Sequence, residues 1–212
     1  MIPVIRIEGN IGVGKTSLLK HLEDDEPPVH VICEPVEGWT CHLRGLYASA
    51  NPRAWSLPMQ TLAMCTRSES LVAALEIAAN GSDRRPVVVE RSAVSAGIFA
   101  RATLSGDDMG AYDVLVQRYE EAMADAFEVN GAGDAATVYL RAEPQTCFER
   151  VQKRARRSED QVTMEYLERV HDEHERLVAG GATLIVNAGD KSSVQVAQEV
   201  KTFLSQKFVD HQ

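Results

Sequence analysis

Val4-Ile5-Arg6-Ile7-Glu8-Gly9-Asn10-Ile11-Gly12-Val13-Gly14-Lys15-Thr16-Ser17-Leu18-Leu19 is the stretch that decides the fold. Val4, Ile5 and Ile7 predict a short buried strand, and Ser17 to Leu22 the helix that follows it. Between them, Gly9, four intervening residues and Gly14-Lys15-Thr16 have the spacing of a phosphate-binding P-loop. Gly9, Gly12 and Gly14 let the backbone through Asn10, Ile11 and Val13 turn its N–H groups onto phosphate oxygens. Thr16 and Ser17 then open the helix, whose N-terminus adds the positive end of its dipole. Lys15 supplies a point charge to a transferring phosphoryl group, and the Thr16 hydroxyl suits Mg²⁺. The stretch implies a nucleoside triphosphate site.

The rest of the composition bounds what such a site could serve. A chain of 212 residues suits one α/β domain, residues 1–212, with a substantial core. A net charge of −9 argues against a general nucleic-acid or anionic-membrane surface, so an anionic substrate needs a local basic cluster. Cys33, Cys41, Cys65 and Cys147 lie far apart without metal or redox spacing, and read as reduced thiols. No apolar run reaches transmembrane length, and the first strand begins almost at Met1. The expected location is cytoplasmic.

Five strand candidates alternate with helical stretches: Val4–Glu8, Val29–Cys33, Pro86–Glu90, Thr137–Arg141 and Thr183–Asn187. Each is short, apolar and bounded by turn residues, as buried parallel strands are. The pattern predicts a five-stranded parallel sheet with helices on both faces. Gly131-Ala132-Gly133-Asp134 and Gly180-Gly181 read as helix-to-strand turns.

Ligands of open α/β sheets bind beyond the carboxyl ends of the strands, so residues there carry the chemistry. Glu34, at the end of the second strand, could take a proton from a substrate hydroxyl or simply pair with an Arg. Glu90, at the end of the third, could hold Mg²⁺ beside the P-loop, or form an ion pair with Arg91. Asn51-Pro52 predicts a helix start with Asn as N-cap, and Pro58 a kink or restart. Beyond it Gln60, Met64 and Arg67 share one helix face. They suit the edge of a planar heterocycle, although such polar groups are more often at the surface.

Asp107 to Asn130 predicts a long helix with a stripe of Tyr112, Leu115, Tyr119, Met123 and Phe127. The stripe reads as packing surface and is also the candidate face for a homodimer. After the fourth strand, Arg150, Lys153, Arg154, Arg156 and Arg157 make a basic segment in an acidic chain. It suits a lid over transferring phosphate, spanning about residues 150–162, or else a solvated helix face. His171 and His174 read as part of an exposed acidic face rather than as metal ligands, because no third ligand is apparent.

Taken in order, EGNIGVGKT, EPVEGW, the Tyr47 to Arg67 stretch, ERS, YLRAEP, RARRSED and YLERVHDEHERL resemble the deoxyribonucleoside kinase family over nearly the whole chain. The resemblance implies Glu34 as general base on a 5′-hydroxyl with Arg91 beside it, and Thr16 and Glu90 as the Mg²⁺ site. It implies Gln60 as the base-reading amide, with Trp39 and Met59 as pocket wall. Tyr47 and Glu159 match the pair that holds the sugar 3′-hydroxyl, and Arg154 and Arg156 match the lid arginines. The run Ser95-Ala96-Gly97-Ile98-Phe99-Ala100 departs from the family's usual Arg-Tyr pattern. Phe99 falls one position, about 100° of helix, before the usual stacking aromatic. Arg67 is present as in the deoxycytidine and deoxyguanosine enzymes, but their partner Asp is replaced by Ala96.

The implied reaction is transfer of the γ-phosphoryl of ATP, with Mg²⁺, to a deoxynucleoside, with thymidine or deoxycytidine favoured. Two competing readings are a nucleoside monophosphate kinase and a catalytically silent nucleotide-binding relative. EPVEGW favours the nucleoside enzymes over the first, and the filled catalytic positions disfavour the second. A GTPase is disfavoured because Asp107-Asp108-Met109-Gly110 follows no strand and no Asn-Lys-x-Asp appears.

Overall fold

The computed structural model describes residues 1–23, 29–81 and 85–208. Five strands form one all-parallel sheet: β1 (Ile2–Glu8), β2 (His30–Ile32), β3 (Val87–Glu90), β4 (Ala132–Arg141) and β5 (Leu184–Asn187). Their order is β2-β3-β1-β4-β5, which puts the P-loop strand at the centre. The helices are α1 (Lys15–Glu23), α2 (Thr40–Ala48), α3 (Arg53–Asn80), α4 (Ala93–Thr103), α5 (Asp107–Asn130), α6 (Pro144–Arg154), α7 (Met164–His174) and α8 (Ser193–Phe208).

Successive residues of a strand point to opposite faces, and β1 shows the result. Ile5 and Ile7 enter one apolar cluster with Leu18, Leu19 and Leu22 of α1, Val151 of α6 and Val200 of α8. Ile2 and Val4 enter another, with Leu71, Leu75 and Ala78 of α3 and Met123 of α5. Helices therefore cover both faces, as the strand pattern predicts. Removing the fully buried Leu75 side chain by Leu75→Ala would cost about 2–5 kcal/mol, the usual range for a core leucine. Among the described residues, no helix is long and apolar enough to cross a membrane.

Several local expectations are corrected. β4 begins at Ala132, so the expected Gly131–Asp134 turn belongs largely to the strand. Only Gly131, with φ 62°, stays a turn residue, closing α5. The reason is tertiary: Ile2 N–H donates to the Gly131 carbonyl at 2.7 Å, and Ile2 pairs with Ala132, which overrides weak glycine strand propensity. The register then slips between Val4 and Ile5. α3 begins at Arg53, with helical φ and ψ already at Pro52 and no side-chain cap from Asn51. It also runs through Pro58 without a restart. The carbonyl that loses its donor belongs to Ala54, an exposed residue in the first turn where water can replace the bond.

The stripe on α5 is consumed inside the chain. Tyr112 and Met123 are buried, and Tyr119 and Phe127 pack on the α3 cluster, so this face is not free for a second copy. His174 is also corrected, from exposed face to core. It is fully buried, stacked on Tyr139 at 5.9 Å between ring centres, and edge-on to Phe99. No cluster of three or more metal-ligating side chains occurs among the described residues.

Candidate active site

The P-loop leaves the carboxyl end of β1 and enters α1 at Lys15. Gly9 and Gly12 have φ of 142° and 81°. A Cβ at either would lie 2.5 Å from a backbone carbonyl oxygen, of Leu140 and Cys147 respectively, so only glycine lets the loop pack this closely. Asn10 ties the loop to α7, donating from Nδ2 to the Leu167 carbonyl at 2.9 Å, while its Oδ1 accepts from Ile11 N–H at 2.8 Å. Lys15 Nζ donates to the carbonyls of Gly9 and Asn10 at 3.0 and 2.9 Å. Burial, and then the Arg91 guanidinium, hold the Lys15 ammonium down to about 8 against the pull of three nearby glutamates. An arriving phosphate would reverse that balance.

A cleft of about 480 Å³ opens over this loop. Gly12, Gly14, Lys15, Thr16 and Ser17 line it on one side, and Arg154, Arg156 and Lys191 on the other. Ile11 and Val13 also line it, whereas Gly9 and Asn10 support it from behind. Cations thus face a floor of backbone N–H groups, the arrangement that holds polyphosphate.

Glu34 stands two residues beyond β2, next to the cleft. Arg67 of α3 donates to its Oε1 from Nε at 2.9 Å and also from Nη2. Arg91 donates to its Oε2 from Nε at 3.2 Å, and from Nη1 to the Gly9 carbonyl at 2.9 Å. Burial alone would raise the Glu34 carboxyl, but Arg67, Arg91 and Lys15 together hold it at about 2. Arg91 itself has φ 73°, a backbone cost of order 1–3 kcal/mol for a non-glycine residue. Such strain persists only where the surroundings impose it.

Glu90 ends β3 and behaves in the opposite way. Burial, and then the Glu34 charge, push its carboxyl up. Its hydrogen bonds are with the Thr16 hydroxyl, at 3.3 and 3.4 Å to its two oxygens, and the Glu34 N–H at 3.4 Å. A hydroxyl and an under-compensated carboxylate, side by side beneath the cleft, are hard oxygen donors that fit Mg²⁺ completed by phosphate oxygens and water.

A second pocket, of about 60 Å³, adjoins the cleft and shares Glu34, Arg91 and Glu159 with it. Trp39, Tyr47, Met59, Gln60 and Arg67 line it together. Gln60 and Arg67 therefore turn inward, not to the surface. Arg67 lies over the Trp39 ring at 5.2 Å, and its Nη1 is buried without a partner. Phe99 lines the same pocket, under the Arg91 guanidinium at 4.4 Å from its ring centre. Ala96 is not brought to this wall. It is buried with Ala100, Leu104 and Tyr112.

α6 ends at Arg154, and Ala155, with φ 50°, turns the chain away. Arg154 donates to Glu159 Oε2 from Nη2, and Arg156 Nη1 donates to Glu159 Oε1 at 3.0 Å. Arg154 and Arg156 thus line the cleft and pair with a buried carboxylate, while Lys153 and Arg157 remain exposed.

A family model described as deoxynucleoside kinase matches residues 5–210. The chain belongs to the deoxynucleoside kinase family. It is 32% identical over 179 residues to a fowlpox virus (strain NVSL) protein named probable deoxycytidine kinase, covering 81% of this chain and 70% of the viral one. It is 28% identical over 195 residues to mouse deoxycytidine kinase, covering 82% of this chain and 74% of that one. It is 31% identical over 192 residues to human mitochondrial thymidine kinase 2, covering 84% of this chain and 65% of that one. The protein is an ATP-dependent deoxynucleoside kinase.

Sequence reasoning missed several residues of the kinase's cleft. Arg150 sits in the basic run, yet it points away from the lid. It donates to the Val13 carbonyl at 3.1 Å and to the Ala188 and Gly189 carbonyls at 2.8 and 3.0 Å, joining the P-loop to the segment after β5. Lys191 and Ser192 reach the cleft from that same segment. No spacing signal marks them, because the fold alone brings the end of β5 beside β4, one strand away from β1. Tyr166, the second residue after Met164 in α7, lies edge-on to Tyr47 at 5.6 Å and lines the smaller pocket.

Proposed function

We propose that this kinase phosphorylates the 5′-hydroxyl of pyrimidine deoxynucleosides, thymidine ahead of deoxycytidine, with ATP in the larger cleft and the nucleoside in the smaller pocket. Relatives of similar identity are named for deoxycytidine, deoxyguanosine and thymidine, so likeness does not choose the base. Arg67 carries the choice. It offers donors only, one of them buried and unpartnered, and so favours a base carbonyl beside the Gln60 amide.

A pocket of about 60 Å³ is far below the roughly 300 Å³ of the smallest usual ligand sites, so the nucleoside must displace something. Arg67 is the group in the way, and its shift from Glu34 to the base restores basicity to that carboxylate. Glu34 then takes the 5′-hydroxyl proton as the 5′-oxygen bonds to the γ-phosphorus and the bond to the β-phosphate oxygen breaks, releasing ADP. Arg91 holds Glu34 in place. Tyr47 and Glu159 hold the sugar, Trp39, Met59 and Phe99 enclose the base, and Lys15, Arg154 and Arg156 take up charge on the phosphates. Thr16 and Glu90 would hold Mg²⁺. When bound, the ion neutralises β- and γ-phosphate charge.

A homodimer is part of this proposal, now through the exposed Ile77 of α3 and Val114 and Val129 of α5 in place of the α5 stripe. A cytoplasmic location agrees with four free cysteines. The test of the function is a steady-state panel of the four natural deoxynucleosides with ATP and Mg²⁺. Thymidine should show the highest kcat/KM and deoxycytidine the next. A purine preference would overturn the assignment.

A further inference from the structure

Glu8, the last residue of β1, is 1% exposed, and no step above uses it. A buried carboxylate is costly unless its oxygens are satisfied, so its partners indicate its purpose. Oε1 accepts from the Ser92 hydroxyl, and Oε2 accepts from the Ser95 hydroxyl in the first turn of α4. Between β3 and these serines stands Arg91, with its left-handed φ of 73°. The residues on either side of Glu8 also hold Arg91. Its N–H donates to the Ile7 carbonyl and its Nη1 to the Gly9 carbonyl, both at 2.9 Å. Three consecutive residues of the central strand and loop therefore grip one strained turn. The carboxylate is the grip nearest the point where α4 begins.

We propose that Glu8 is a positioning residue for phosphoryl transfer: by pinning Ser92 and Ser95 it fixes the Arg91 backbone, and so keeps the Arg91 guanidinium on Glu34. The proposal rests on the reading of Glu34 as base and Arg91 as its holder. Glu8 touches neither nucleoside nor phosphate and acts through Arg91. Its charge also faces Arg91 and Lys15 and favours the charged form of both. An apolar residue or an amide of the same shape could fill the space, but neither accepts two hydroxyls and offers that charge.

The test is a double-mutant cycle in kcat, measured at saturating ATP and thymidine. Glu8→Gln should lower kcat about tenfold, with both KM values changed less than about threefold. In an Arg91→Ala background the same substitution should change kcat less than about twofold, because the group it acts through is gone. Ser95→Ala removes one of the two hydroxyls while leaving β1 intact, and should follow the same pattern at about threefold. It carries the cycle if Glu8→Gln does not fold. Multiplicative effects, or unchanged kcat in the Glu8→Gln or Ser95→Ala enzyme, overturn the proposal. An Arg91→Ala enzyme of normal kcat overturns the site reading itself, and the two failures are distinguishable.

Discussion

Arg67 and Glu34 come from separate elements, α3 and the loop after β2, yet Arg67 Nε lies 2.9 Å from Glu34 Oε1. The pair joins the group proposed to read the base to the group proposed to start the chemistry. It also makes Glu34 a poor base until substrate arrives, since its carboxyl is held at about 2.

Glu34→Gln follows directly from that pairing. Loss of a general base should lower kcat by about 100-fold or more. Because the amide holds Arg67 less strongly than the carboxylate does, nucleoside binding should be unchanged or tighter. Calorimetric titration with thymidine, alongside steady-state rates, checks both halves. Normal kcat would remove Glu34 from the mechanism.

The lid arginines should separate by kinetic parameter. Arg154→Ala and Arg156→Ala should each depress kcat more than they raise the nucleoside KM, since both cations are proposed to act on charge that develops in transfer. A change confined to nucleoside KM would instead assign them to holding Glu159 in place.

Ala96→Asp tests the base preference. Ala96 is buried with Tyr112, whose hydroxyl is buried and unpartnered and feels the Arg67 charge. A carboxylate there would draw Arg67 away from a base carbonyl and so weaken the preference for thymidine. The ratio of kcat/KM values should move toward deoxycytidine by about 1–3 kcal/mol. A ratio that does not move would show that position 96 is out of reach of Arg67.

His174 gives a pH dependence of stability. Burial, then the Arg91 charge, with Lys15 and His171 adding to it, lower its pKa from 6.5 to about 3 against the hydrogen bond to the Val170 carbonyl. The unfolded chain therefore takes up a proton first as pH falls. Stability is complete above about pH 6.5 and declines through the window down to about pH 3. His174→Phe keeps a ring against Tyr139 and Phe99 but cannot protonate. Between pH 7 and pH 5 it should lose less stability than the parent by up to about 2 kcal/mol, read from urea midpoints. Parallel losses would place the acid sensitivity elsewhere.

Much of this site is legible in the sequence because its parts are local. A P-loop needs its glycines and Lys-Thr at fixed spacing, and strand ends announce themselves where an apolar run meets Glu34 or Glu90-Arg91. What could not be read is non-local. Nothing near Arg67 names Glu34 as its partner, and nothing near His174 says that the second face of its helix is buried against Tyr139. The start of β4 was hidden because Gly131 and Gly133 look like turn residues until Ile2 pairs with Ala132. Arg150 hid inside a basic run of which Arg154 and Arg156 face the cleft beside it and Lys153 and Arg157 stay exposed.

Glu159 is in effect a shared currency between the two halves of the active site. It cannot hold Arg154 and Arg156 and also accept fully from a sugar hydroxyl. Phosphate that draws the arginines away would free the carboxylate for the acceptor, and an acceptor seated on Glu159 would release the arginines toward phosphate. Thermodynamic reciprocity then makes the coupling equal in both directions: an unreactive ATP analogue should raise thymidine affinity by the same factor that thymidine raises affinity for the analogue. With neither nucleoside nor free arginines in place, water meets a cleft whose charge-stabilising groups are engaged elsewhere. An enzyme built this way would waste little ATP between acceptors.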